Sequence, residues 1–182
     1  MSTATLTPAD IKMSSAQLTV GGTDIGGTDG GIVFTPTVTI QKVFVDQSSM
    51  PVKHFITQEE ATVTANLTEY NLTKINLVMS GATYTLDSGA TKKKIEVGGG
   101  QIDNTSDQVE LIITPTVDGS ATLTSDNNLK ITVYQCIPFT HPEASFMKDG
   151  VRYIPCTFDA QRDSSKAAGK QLYLLGDSTA TA

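Results

Sequence analysis

The sequence predicts a mainly β protein: an antiparallel β-sandwich or barrel with one short α-helix packed against it and a long hairpin. Three observations lead there. Thr, Val, Ile and Gly are abundant, whereas charged residues make up 18% and aromatics 6% of the chain, a balance that favours strands and turns. Two long stretches alternate apolar and polar residues with period two on either side of a turn-forming segment. Only one stretch changes to a helical period. A chain of 182 residues buries roughly 70% of its unfolded surface, so a single domain over 1–182 with one sizeable core is expected.

The elements follow in order. Residues 1–13 are polar, carry a Pro and keep no period, which predicts an extended N-terminal arm. Gln17 to Val20 reads as a short strand running into "GGTDIGGTDGG", Gly21 to Gly31. Then Ile32, Phe34, Val38 and Ile40 alternate with Val33, Thr35, Thr37, Thr39 and Gln41, continuing through Val43-Phe44-Val45. "DQSSMP", Asp46 to Pro51, is turn chemistry, in which Asp and Ser bond their own backbone and Pro fixes φ. After it, Phe55, Ala61, Val63, Ala65 and Leu67 are expected on one face and His54, Gln58, Glu60, Thr62 and Thr64 on the other. Two long strands around a turn make the extended hairpin.

Leu67, Leu72, Ile75 and Met79 are spaced for a helix over Thr68 to Met79, with Asn66 and Glu69 as a capping box and Gly81 as C-terminal cap. Further strands are expected at Lys94 to Val97, Gln108 to Thr114, Leu129 to Ile137, Gly150 to Ala160 and Gln171 to Leu175, with a C-terminal tail from Gly176 to Ala182.

Composition narrows the function classes. A net charge of -6 opposes nucleic-acid affinity, which depends on basic side chains neutralising phosphates, and the basic run Lys92-Lys93-Lys94 reads as a solvated loop edge. Cys136 and Cys156 form neither a CxxC nor a metal-ligand spacing and sit in apolar alternating runs, as buried small hydrophobes do. The N-terminus lacks a signal-peptide pattern and no apolar run reaches membrane-spanning length, so folding in a cytoplasm is expected, where the sequons at Asn66, Asn71 and Asn104 carry no chemistry.

Catalytic and ligand motifs fare no better. A dinucleotide loop must open a helix, but the Gly21 to Gly31 glycines lead into a strand, so they read as a tight reversal of the chain. The doubled Gly-Gly-Thr-Asp is similar to calcium-binding β-roll repeats, yet two copies lack the continuing nonapeptide pattern. His54 and His141 lie outside any nucleophile motif, and Glu59-Glu60 point to opposite strand faces and cannot form a carboxylate dyad. No enzyme, cofactor or metal is expected. The alternative of a different class is a carbohydrate-binding β-sandwich module on a viral or bacterial surface, which the absence of Trp and the five scattered Tyr disfavour, since such modules stack sugars on exposed aromatic platforms.

"GGTDGGIVFTP", "VFVDQSSMPVKHFITQEEATVTANLTEYNLTKI", "FMKDGVRYIPCTFDAQRD" and "QLYLLGD" occur in that order. In these stretches the chain resembles the tail tube proteins of long-tailed bacteriophages, whose fold is shared with the tube proteins of contractile injection and type VI secretion systems. The resemblance covers about half the chain and leaves Ser80 to Asn128 without a counterpart.

What it implies is a structural virion protein, assembled in the host bacterial cytoplasm and located in the virion tail, that forms hexameric rings stacked into a hollow tube. The tube conducts the genome into the host without covalent chemistry and without specific DNA binding. Implied partners are further copies of itself, a tape measure protein, a tail tip or baseplate, a tail terminator and, in a contractile tail, a sheath. On this reading Thr35, Thr37, Thr39, Gln41, Gln58, Glu60, Thr62 and Thr64 face the lumen, a lining free of Lys and Arg. Phe34, Val38, Ile40, Phe55, Ala61, Val63 and Ala65 pack on the sandwich core, and Asp46, Gln47, Ser48, Ser49, Met50 and Pro51 contact the next ring. The terminal arms would be mobile in the monomer and order on assembly.

Overall fold

The computed structural model describes residues 15–102, 105–116, 127–140 and 152–180. It is mainly β and antiparallel, with one short α-helix. The strands are β1 (Ala16–Val20), β2 (Thr23–Asp24), β3 (Thr28–Val45), β4 (Ser48–Leu67), β5 (Ala82–Leu86), β6 (Lys93–Val97), β7 (Val109–Pro115), β8 (Ile131–Pro138), β9 (Ile154–Gln161) and β10 (Tyr173–Leu175), and the helix is α1 (Leu72–Leu77). Eight strands make one sheet in the order β2-β1-β7-β8-β9-β4-β3, with β10 also on β8, while β5 and β6 form a separate hairpin.

That sheet curls around its apolar face. Leu18 and Val20 of β1 and Val63, Ala65 and Leu67 of β4 belong to a single buried cluster with Leu111, Val133, Cys156 and Phe158, although four strand steps separate β1 from β4. A flat sheet cannot bring them together, so it folds over into the sandwich-like form expected of its alternating strands. The β3–β4 ladder continues at its base, where Thr68 donates its backbone N–H to the Gly27 carbonyl at 3.0 Å, and α1 adds Ile75 to the cluster.

The glycines have separate local tasks. Gly21 and Gly22 link the paired Val20 and Thr23 with φ of +54° and +78°, the two positive values that a type I′ hairpin turn requires. Gly30 and Gly31, at φ +74° and +84°, bulge out of β3 between the pairs Asp29↔Asn66 and Ile32↔Ala65. The segment therefore reverses the chain once, at its start, and then bends the hairpin strand that follows.

The helix is shorter than the period predicts. Asn71, not Asn66, caps it by accepting from the Thr73 backbone N–H at 3.0 Å, because Asn66 is held in β4 between Asp29 and Pro155. Glu69 is drawn away from any capping box: its Oε2 meets Lys74 Nζ at 2.6 Å and its Oε1 accepts from Gly27 N–H at 3.2 Å. The Lys74 hydrogen bond, then that of Gly27, holds the Glu69 carboxyl below its ordinary range.

Strands β6 to β10 lie where alternation places them, β2 and β5 are additions, and residues 150–151 of the strand expected over Gly150 to Ala160 fall outside the described residues. Cys136 and Cys156 are buried and unpaired, and burial pushes their thiols up to about 12 and about 11. At the start of the C-terminal tail, Gly176 N–H donates to the Lys130 carbonyl at 2.8 Å and Asp177 accepts from Thr179. The N-terminal arm 1–13 and His141 lie outside the described residues.

Candidate assembly surface

The feature that sets this molecule apart is the β3–β4 hairpin. At its base, Thr62 to Leu67 of β4 pair with β9, and Ala61, Val63, Ala65 and Leu67 are buried. Toward its tip, from Thr35 through Glu60, every residue except Val43 and Ser48 is exposed on both faces. At 3.3 Å per residue the two strands project about 30 Å past Thr62. Among the described residues, β3 has no partner on its outer edge, and β4 has none before Thr62. Pro36 sits in β3, the kind of edge position at which a residue without an N–H is tolerated.

The pairing register defines the two faces, because directly opposed residues project to the same side. Val33↔Thr64, Thr35↔Thr62, Thr37↔Glu60 and Thr39↔Gln58 alternate with Phe34↔Val63, Pro36↔Ala61 and Val38↔Glu59. Beyond Thr39 the register slips by one: Ile40 faces Ile56, Gln41 faces Phe55, Lys42 faces His54 and Val43 faces Lys53. Thr57 is the extra residue, and its hydroxyl donates to the Thr39 carbonyl at 3.2 Å.

All eight residues assigned to the lining, Thr35, Thr37, Thr39, Gln41, Gln58, Glu60, Thr62 and Thr64, thus share one face. Glu60 is held there by a hydrogen bond from the Gln58 amide. Glu59 and Glu60 do lie on opposite faces, opposite Val38 and Thr37.

Two corrections follow from the Thr57 bulge and the reach of the hairpin. Phe55 belongs to the hydroxyl and amide face, opposite Gln41, while His54 moves to the other face opposite Lys42, because one inserted residue inverts a period of two. Lys53 comes with Phe55, so that face carries one cation. The second correction concerns packing. Ala61, Val63 and Ala65 pack on the core and Phe34 is half-buried, its ring edge-on to Tyr173 at 5.1 Å. Val38 and Ile40, and Ile56 beside them, remain in solvent, since the core ends where β9 does.

The tip is tighter than "DQSSMP" predicts. Only Asp46 and Gln47 turn, between the paired Val45 and Ser48, whereas Ser48 to Pro51 already belong to β4. The turn chemistry is still used: Ser48 Oγ accepts from the Met50 N–H at 3.1 Å, inside a wide bulge that sets residues 49–52 against Phe44. Met50 is 73% exposed at this end.

Elsewhere the surface offers little chemistry. Among the described residues no group of three or more His, Cys, Asp and Glu could hold a metal ion. Asp24, in the doubled Gly-Gly-Thr-Asp, accepts instead from Gln17 and from Gly26 N–H. Lys92, Lys93 and Lys94 are exposed, with Lys93 donating to Thr73 and Lys94 paired to Glu96. A cavity of about 240 Å³ lies between Ser80, Gly98 to Gly100 and Phe139. No described helix is long and apolar enough to cross a membrane.

No family model matches the chain, and no curated protein matches it.

Proposed function

We propose that this chain is a structural subunit of a phage tail tube or a related injection tube, assembling through its β3–β4 arm into hexameric rings that stack around a conduit for the genome. One observation carries the reading: a two-stranded arm about 30 Å long with free edges on both sides and exposed Val38, Ile40, Ile56 and Met50. Long, exposed, apolar edge strands are an aggregation hazard unless something pairs with them. In a ring, the outer edge of β4 in one copy meets the outer edge of β3 in the next. Closure of the ring then pairs both free edges of the arm.

The remaining features support the same assignment. The arm's hydroxyl and amide face is short of the basic groups that would retard a polyanion, and it would form the inner wall. The face carrying Val38, Ile40 and Ile56 would be covered by a neighbouring copy. The tip at Asp46 to Pro51 would meet the next ring, where a tape measure protein, a tail tip or baseplate, a tail terminator and, in a contractile tail, a sheath complete the tail. The work is structural, with no covalent step.

Negative-stain microscopy of the purified protein across a concentration series tests the proposal. Six-fold rings or tubes are expected. A chain that stays monomeric at high concentration, alone and with a tail-tip extract, refutes it.

A further inference from the structure

We infer that Lys53 and Phe55 form a phosphate-contacting station on the arm's inner face, an inference that rests on the assembly reading above. The Thr57 bulge places both side chains on the face that carries Thr35, Thr37, Thr39 and Gln58. Lys53 is the single basic residue there and Glu60 the single acid on the arm itself, with Asp159, which accepts from the Thr62 hydroxyl, and Asp29, opposite Asn66, on the same side at its base.

The two charges are differently held. Glu60 is hydrogen-bonded to Gln58, whereas Lys53 makes no ion pair among the described residues; its ammonium rests 4.5 Å from the centre of the Phe55 ring. Both residues are exposed. A ring face holds an exposed cation only weakly, enough to keep it on this face and too little to hold it against a phosphate. Lys suits this task, because its ammonium is a mobile point charge rather than a fixed fork.

In a ring of copies, Lys53 repeats at one level near the arm's tip. Glu60 repeats six rungs nearer the base, roughly 20 Å away along the arm. A duplex moving along such a wall meets attraction near the tip and repulsion from Glu60 toward the base, each non-specific in sequence. The ligand class is therefore the DNA phosphate backbone, bound weakly and in a salt-dependent way.

The test uses tubes of the full chain polymerised with a short labelled DNA duplex and pelleted at rising salt. Each lysine–phosphate contact adds about 0.9 to the slope of log affinity against log salt, so about a fourfold rise in salt weakens retention roughly 3.5-fold per engaged contact. Lys53→Gln tubes should lose that retention, while Lys92→Gln tubes keep it. Acetylation of Lys53 in wild-type tubes by an amine reagent should also slow when duplex is enclosed, a readout independent of whether the variant assembles. Tubes that form normally but retain duplex equally with and without Lys53, or a Lys53 acetylation rate indifferent to duplex, overturn this inference and leave the assembly reading intact. Failure of the wild-type chain to form rings overturns both.

Discussion

Replacing Val38, Ile40 and Ile56 together by Thr asks whether the exposed apolar face of the arm is an interface. Thr keeps the β-branched shape that strands favour, so the arm itself should persist. The three residues are 48%, 53% and 60% exposed. Full burial of such a side chain is worth about 1.5–3 kcal/mol, so covering the exposed half of each contributes about 1 kcal/mol, or about 3 kcal/mol per subunit contact. At about 1.4 kcal/mol per tenfold, association should weaken on the order of 100-fold. Substitution at sites exposed in the monomer should move its unfolding free energy by no more than about 0.5 kcal/mol. Sedimentation velocity over a concentration series reads the first quantity and urea unfolding of the monomer the second. Assembly at the wild-type concentration would refute the reasoning. So would a loss of more than about 2 kcal/mol in the monomer, since the face would then be packing on its own core.

Deleting Asp46 to Pro51 should leave a folded monomer that does not polymerise, as circular dichroism and microscopy would show; normal tubes from that deletion would remove the tip from the interface. Gly31→Ala puts a Cβ at φ +84°, where nothing lies within 4 Å, so its cost is backbone strain alone, about 1–2 kcal/mol in denaturant melts. Gly26→Ala adds to the same strain a Cβ that meets the ends of the Glu69 and Lys74 side chains, which can swing aside, so its extra cost over Gly31→Ala in the same assay is the loss of the Glu69 contacts with Gly27 and Lys74. Cys136 and Cys156 should resist a thiol reagent in the folded state near neutral pH and react in denaturant. Their thiols are raised to about 12 and about 11, so the stability they contribute is complete below the unfolded thiol range and is lost as pH rises from about 9 through those values. Urea midpoints that stay level from pH 8 to about 11 would contradict that linkage.

Much of this fold is legible in the sequence because burial imposes a period. Where one strand face packs on a core, as at Ala61, Val63, Ala65 and Leu67, alternation is enforced residue by residue and the element can be read directly. The helix boundary is less legible. Asn66 and Asn71 are equally good caps by type, and the choice falls to Asn71 because β4 takes Asn66 into a ladder with β9. That competition is tertiary and leaves no local mark. The two-residue β2 is too short to carry a period of its own.

The candidate site was legible in its membership and not in its phase. The eight polar residues share a face because the pairs from Val33↔Thr64 to Thr39↔Gln58 run without a slip and Gln41 keeps step on β3. The bulge at Thr57 breaks the phase on β4 alone. Gly30 and Gly31 advertise their bulge by composition, since φ > 0 calls for Gly, but a threonine bulge looks like any other strand residue. Its consequence reaches further than one misassigned aromatic. Without the slip, Lys53 and Phe55 would lie on the face with Val38 and Ile40, which already carries Lys42 and Glu59. With it, Lys53 and Phe55 share the face of Thr39 and Gln58, and the other face gains Ile56 opposite Ile40 in their place. The bulge therefore exchanges Lys53 and Phe55 for His54 and Ile56 between the two faces of the distal arm, while Lys42 and Glu59 stay beside Val38 and Ile40.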